Sequence, residues 1–180
     1  GQAIAEVLYG EVNPSGKLPY TYPRYSGDLI NYDYKYTETK DTQFGYNAIN
    51  PQYPFGHGLS YTTFTYSGLQ LNGSELGPDD SLVVQVNVTN TGAIKGKEVV
   101  QLFVRDEYAT VTPSIKRLRD FTKIDLDAGQ SQVVEFRLGK EDLSFIGRDL
   151  TWQTEGGAFT VLVGTEKAEF KADWNWQLKE

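Results

Sequence analysis

From Leu82 onward, four runs of the chain place an apolar residue at every second position. Leu82, Val84, Val86 and Val88 alternate with Val83, Gln85, Asn87 and Thr89. Val100, Leu102 and Val104 alternate with Gln101, Phe103 and Arg105. Val134, Phe136 and Leu138 alternate with Glu135 and Arg137, and Phe159, Val161 and Val163 with Thr160 and Leu162. A period of two sends successive side chains to opposite faces, so each run predicts a strand with one apolar face. Asn90-Thr91-Gly92, Asp127-Ala128-Gly129 and Glu155-Gly156-Gly157 punctuate these runs with turn chemistry. Weaker patterns predict further strands at 67–71, 118–126, 149–153 and 168–176, and only Lys140 to Phe145 could hold a helical turn. Seven or eight short strands in about 110 residues predict an antiparallel β-sandwich. A unit of that size can bury a real core without disulfides.

The first 66 residues read differently. Ala3, Ile4, Val7 and Leu8 have helical spacing, so Gln2 to Tyr9 predicts the last turns of an amphipathic helix, ended by Gly10 as a C′ glycine. Asn13-Pro14-Ser15-Gly16 is a turn. Leu18 to Tyr22, bracketed by Pro19 and Pro23, predicts a short edge strand. Residues 24–56 hold no sustained period, and so long a stretch is expected to be functional or packed on a neighbour. Eleven of the 12 tyrosines lie between Tyr9 and Tyr66. Composition and periodicity both shift near residue 66, where we expect the boundary.

Composition narrows the function classes. The 39% hydrophobic and 23% charged content suits a globular chain rather than a disordered one. No apolar run reaches the roughly 18–20 residues of a membrane helix. A net charge of −7 argues against nucleic-acid binding, which needs a positive field. Without cysteine there is no disulfide, thiolate metal site or thiol nucleophile, and the single His57 cannot build a histidine metal cluster. The chain begins at Gly1 and contains no Met, so it is expected to be a piece of something longer. A leader peptide would not be visible in such a piece.

Candidate chemistry is sparse. The acids Asp79, Asp80, Asp106, Glu107, Asp125 and Asp127 fall on exposed strand faces or turns and read as a solvated surface. A Ser/His/Asp triad would need His57, yet no G-x-S-x-G elbow accompanies it, so a structural or hydrogen-bonding His57 is expected. Phosphate-binding glycine loops are absent from the sequence. Asn72-Gly73-Ser74 and Asn87-Val88-Thr89 match the glycosylation sequon, a pattern frequent by chance. Tyr25, Tyr32, Tyr34 and Tyr36 could stack on sugar faces or pack the loop onto a neighbouring domain, and the packing role is the expected one. Gly56 and Gly58 flank His57 and suggest constrained backbone there. Leu59, Tyr61 and Phe64 are expected to anchor the linker against the sandwich.

Several segments carry a resemblance. Gly1-Gln2-Ala3-Ile4-Ala5-Glu6-Val7-Leu8-Tyr9-Gly10-Glu11-Val12-Asn13-Pro14-Ser15-Gly16-Lys17-Leu18-Pro19 resembles the G-x-A-x-A-[DE]-V-L-[FY]-G-[DE]-x-N-P-S-G-[KR]-L-P signature of family-3 glycoside hydrolases, the β-glucosidase and β-xylosidase group. Tyr53-Pro54-Phe55-Gly56-His57-Gly58-Leu59-Ser60-Tyr61-Thr62-Thr63-Phe64 is similar to that family's Y-P-F-G-[YH]-G-L-S-Y-T-x-F segment. Asn87 to Gly92, Gly96 to Val104 and Leu118 to Phe121 resemble its fibronectin-III-like C-terminal domain, and Asp127 to Ser131 stands at its P-G-E-S position with Ala128 and Gln130 as departures.

The resemblance implies a mainly β chain: a fibronectin-III-like antiparallel β-sandwich at 67–180, preceded at 1–66 by the C-terminal remnant of an α/β sandwich domain plus linker. It implies a parent that is a retaining, exo-acting β-glycosidase, foremost a β-glucosidase, without cofactor or metal, whose nucleophile and acid/base lie upstream of Gly1. The partners implied are the upstream catalytic domains of the same enzyme and a glycoside substrate, with no nucleic acid and no membrane span. The location implied is periplasmic or secreted. Ala172-Asp173-Trp174 looks superficially like the family's nucleophile motif but lies in the wrong domain, and we take it as coincidence. No catalytic residue is expected in this chain; Tyr32 and Tyr34 are the expected substrate-proximal residues. The alternative is a stand-alone fibronectin-type binding module, which would have no use for residues 1–66.

Overall fold

The computed structural model describes residues 1–35 and 49–178. Helix α1 (Gln2–Leu8) opens the chain. It ends at Tyr9, followed by Gly10 at a φ of 81°, the left-handed position expected of a C′ glycine. None of its residues is buried, and Ile4 and Leu8 of its apolar face stand in solvent.

The predicted strand at Leu18 to Tyr22 does not form. Tyr22 makes one antiparallel bridge to Tyr53, while Leu18 N donates to His57 O (2.8 Å) and Gly56 N to Leu18 O (2.9 Å). Pro19 and Pro23 supply no N–H, so the contacts remain isolated rungs.

The strands follow: β1 (Phe64–Leu71), β2 (Leu82–Asn90), β3 (Gly96–Asp106), β4 (Arg117–Leu126), β5 (Ser131–Leu138), the single turn α2 (Lys140–Leu143), β6 (Phe145–Ile146), β7 (Trp152–Thr154), β8 (Gly157–Val163), β9 (Glu166–Ala172) and β10 (Trp176–Gln177). One sheet has the order β1-β2-β5 and the other β4-β3-β8-β9, with every named pairing antiparallel. The short ribbon β10-β7-β6 stands beside them.

The inward positions of both sheets share one core. Leu82, Val84, Val86 and Val88 are buried, as are Val100, Leu102 and Val104, Val134, Phe136 and Leu138, and Phe159, Val161 and Val163. Phe159 stacks on Phe170 at 5.4 Å. Each such side chain contributes about 1.5–3 kcal/mol through burial, which is why alternation alone locates these strands.

Three departures have clear causes. The predicted strand at 168–176 breaks into β9 and β10 around 173–175, where Gly156 N donates to the Asn175 side chain (2.8 Å). The one at 149–153 begins only at Trp152, because Gly147 to Thr151 closes a turn with Leu150 at a φ of 64°. Phe103, on the face assigned to water, is also buried, since the Phe55 ring covers it edge-on at 5.7 Å. Among the described residues no helix is long and apolar enough to cross a membrane.

Candidate functional site

The turn after α1 grips the sandwich. Asn13 Oδ1 accepts from Tyr61 N (2.8 Å) and Ser60 Oγ (3.0 Å), and its Nδ2 donates to Lys95 O (3.0 Å). Lys17 Nζ pairs with Glu98 Oε1 at 3.0 Å, and Tyr66 OH donates to the same oxygen at 2.7 Å. Glu98 is 6% exposed, so this buried charge is held by two partners. Burial, with the neighbouring Glu98 charge, pushes the Tyr66 phenol well above its ordinary range. Thr62 Oγ1 donates to Asn90 Oδ1 (2.6 Å), and the fully buried Asn90 amide also holds the Ile94 and Leu126 carbonyls (2.8 and 3.0 Å).

Close approach explains the two glycines around His57. A Cβ on Gly58 would run into the Gly16 carbonyl, and one on Gly56, whose φ is 82°, would meet Gln101 Oε1 at 2.5 Å. His57 stacks on Tyr53 at 4.6 Å. Of the three expected anchors, only Phe64 packs against the core. Leu59 is 74% exposed and anchors nothing in this chain. Tyr61 donates its OH to Val7 O (2.7 Å), holding α1 rather than the sandwich. Beside it, Gly56 brings the backbone onto Gln101 of β3 and Gly58 brings it onto the Gly16 carbonyl, while the Leu59 side chain faces solvent.

A cleft lies where residues 31–35 meet the loop between β3 and β4. Ile115 N donates to Tyr34 O (3.1 Å), and Lys35 bridges to Ser114. Tyr32 and Tyr34 both line a small hollow of about 140 Å³ over Phe55 and Phe103. Tyr32 is exposed, with its ring edge-on to Phe55 at 5.7 Å, while Tyr34 is half-buried. Tyr36 lies outside the described residues. Lys116 Nζ sits 4.1 Å over the Phe103 ring, a cation–π contact, and burial lowers its pKa.

Beside this hollow is a cavity of about 240 Å³ whose walls include Asp33, Asp106, Arg117, Arg119, Phe145 and Trp152. Arg117 Nη1 and Arg119 Nη2 both donate to Ser144 O, at 2.9 and 3.0 Å. Burial and the adjacent Arg117 bring Arg119 down to about 10. Asp106, expected on the solvated surface, is half-buried instead. Burial, with Glu155 and Glu107 nearby, pushes its carboxyl up to about 6 despite the hydrogen bond from Tyr108 N (3.1 Å). Sequence reasoning passed over Arg117, Arg119 and Trp152. The available signal was Arg-x-Arg within a strand pattern, which puts both guanidiniums on one face.

Other candidates have structural roles. Trp174 Nε1 donates to Leu76 O (2.5 Å) and Ala172 is fully buried, so Ala172-Asp173-Trp174 closes an edge of the sandwich. Among the described residues no three His, Cys, Asp or Glu side chains gather as a metal site would require.

Residues 1–61 match the Glycosyl hydrolase family 3 C-terminal domain, and residues 98–167 the Fibronectin type III-like domain. The chain is 40% identical to a β-xylosidase of Formosa agariphila over 96% of its own length and 24% of that protein. It is 36% identical to a β-glucosidase of Bacteroides ovatus, over 95% of its length and 25% of that protein. Among solved structures, the β-glucosidase of Listeria innocua in complex with gluconolactone superposes with a TM-score of 0.86 at 33% identity, covering 97% of this chain and 26% of that one. The chain thus spans about a quarter of the length of the curated relatives it matches.

Proposed function

Because this chain belongs to the C-terminal region of glycosyl hydrolase family 3, we propose that it is the bracing portion of a retaining, exo-acting β-glycosidase, foremost a β-glucosidase. The parent removes a terminal non-reducing β-linked sugar through a covalent glycosyl-enzyme. That reaction uses two carboxylates about 5–5.5 Å apart, one as nucleophile and one as acid then base. In this reading the chain contributes neither, and the upstream domains of the same enzyme supply both.

One observation carries the reading: residues 1–61 and the sandwich are interlocked, not strung together. The Lys17–Glu98–Tyr66 cluster and the Asn13 side chain hold the turn after α1 directly on β1, β3 and the segment leading into β3. A free fibronectin-type module gains nothing from such a grip. A catalytic unit gains a fixed end, since the exposed Ile4 and Leu8 of α1 offer it an apolar face to pack on. Tyr32 and Tyr34, at the rim of the cleft, are the residues this reading puts nearest substrate.

The test has two arms. Purified chain is assayed on aryl β-glucoside and β-xyloside, and no release above buffer is expected. The chain then replaces the matching quarter of the Listeria innocua β-glucosidase, and the hybrid is expected to keep turnover that the enzyme loses when that quarter is deleted. Turnover by the purified chain, abolished by Asp106→Asn or Asp33→Asn, would falsify the bracing role.

A further inference from the structure

We propose that the cavity between the 107–116 loop and the β6–β7 ribbon is a binding site for a sugar acid, one hexuronic acid unit, with its carboxylate held on Arg117 and Arg119. The cavity shares Asp33, Arg117 and Arg119 with the hollow of Tyr32 and Tyr34, but the proposal does not rest on the catalytic reading above.

The two guanidiniums are under-compensated. They occupy alternate positions of β4 and so share a face. Both donate to one neutral acceptor, the Ser144 carbonyl. Among the described residues neither has a carboxylate within ion-pair distance. Asp33 and Asp142 act on Arg119 only as more distant charges. Arg119 Nε is buried and has no hydrogen-bond partner among the described residues, the one such side-chain atom there. A buried N–H without a partner costs free energy that a ligand acceptor would recover. The planar guanidinium fork matches a carboxylate.

The remaining walls select what carries the carboxylate. A volume of about 240 Å³ falls below the roughly 300–1,000 Å³ of drug-sized sites, so one ring with its substituents fits. Trp152, 42% exposed, presents an aromatic wall together with Phe145, and such surfaces stack on the apolar face of a sugar. Asp106 and Asp33 offer acceptors for hydroxyl groups. The lining sets Lys35, Arg117 and Arg119 against Asp33 and Asp106, a surplus of one positive charge that a single carboxylate matches better than a multiply charged phosphate. A neutral sugar would leave the Arg119 N–H without a charged partner.

The experiment is an NMR titration of the full 180-residue chain, reading the arginine Nε–Hε and tryptophan indole signals. The ligands are D-glucuronate, D-glucose, acetate and inorganic phosphate. Glucuronate is expected to shift the Arg119 Nε–Hε and Trp152 indole signals saturably, and glucose to leave them unmoved. Arg119→Gln should weaken glucuronate binding about tenfold or more, the loss of one charge-assisted contact, with sandwich amide signals reporting that the fold persists. If that variant does not fold, Trp152→Ala, at a partly exposed position, should weaken binding several-fold. The assignment is overturned if glucuronate gives no saturable shift, if glucose, acetate or phosphate binds as tightly, or if binding is unchanged in the folded variants.

Discussion

Asp106 ends β3 with its carboxyl held half out of water, and its raised pKa of about 6 has a consequence for stability. An unperturbed aspartate titrates near 3.9, so between roughly pH 4 and 6 the folded chain binds a proton that the unfolded chain releases. The contribution is therefore favourable at acid pH and is lost as pH rises through about 6. Asp106→Asn keeps an acceptor for Tyr108 N but cannot ionise. Its melting temperature relative to the parent chain is expected to rise between pH 4 and 7, and melts at several pH values check this. A difference that is flat or falls with pH would contradict the burial of this carboxyl. Asp106 also marks what a linear reading misses. In the sequence it is one acid in an acidic stretch, and its environment comes from residues beyond its own strand.

At the level of elements, β1 is where the two halves of the chain join. Phe64 begins the strand, and its ring lies against the shared core. The Gly96 backbone approaches so closely that a Cβ there would meet Phe64 Cζ at 3.2 Å. Phe64→Ala should therefore cost about 2–3 kcal/mol, less than the roughly 3–5 kcal/mol of a fully buried phenylalanine. Leu59→Ala, at an exposed position, should stay within about 0.5 kcal/mol in this chain. Urea denaturation of both variants separates them, and equal midpoints would show that β1 is not anchored by Phe64. The strands of the core were legible in advance because each has one apolar face and a period of two. The segment at 18–22 was misread because its alternation is the same while Pro19 and Pro23 remove the donors a ladder needs.

For the whole molecule, we propose that the boundary lies at residue 66, with 67–180 folding as a unit. Fragment 67–180 is expected to unfold cooperatively on heating, and 1–66 to show no transition. A fragment from Thr62 should be more stable than one from 67, because it restores Phe64 to Tyr66 of β1 and the Thr62–Asn90 hydrogen bond. Circular dichroism melts of the three fragments measure this, and a cooperative transition in 1–66 alone would move the boundary. The sequence by itself determined the strand periodicity, the sandwich class, the glycine pair around His57 and the family motifs, since each is written in local spacing or residue identity. Only the tertiary structure decided that Asp33, Asp106, Arg117, Arg119 and Trp152 line one cavity, that Phe55 covers Phe103, and that Leu59 faces out. The physical reason is that alternation records which side of a strand meets the core. The outer side carries no such pattern, and what gathers there depends on strand order and on loops arriving from distant parts of the chain.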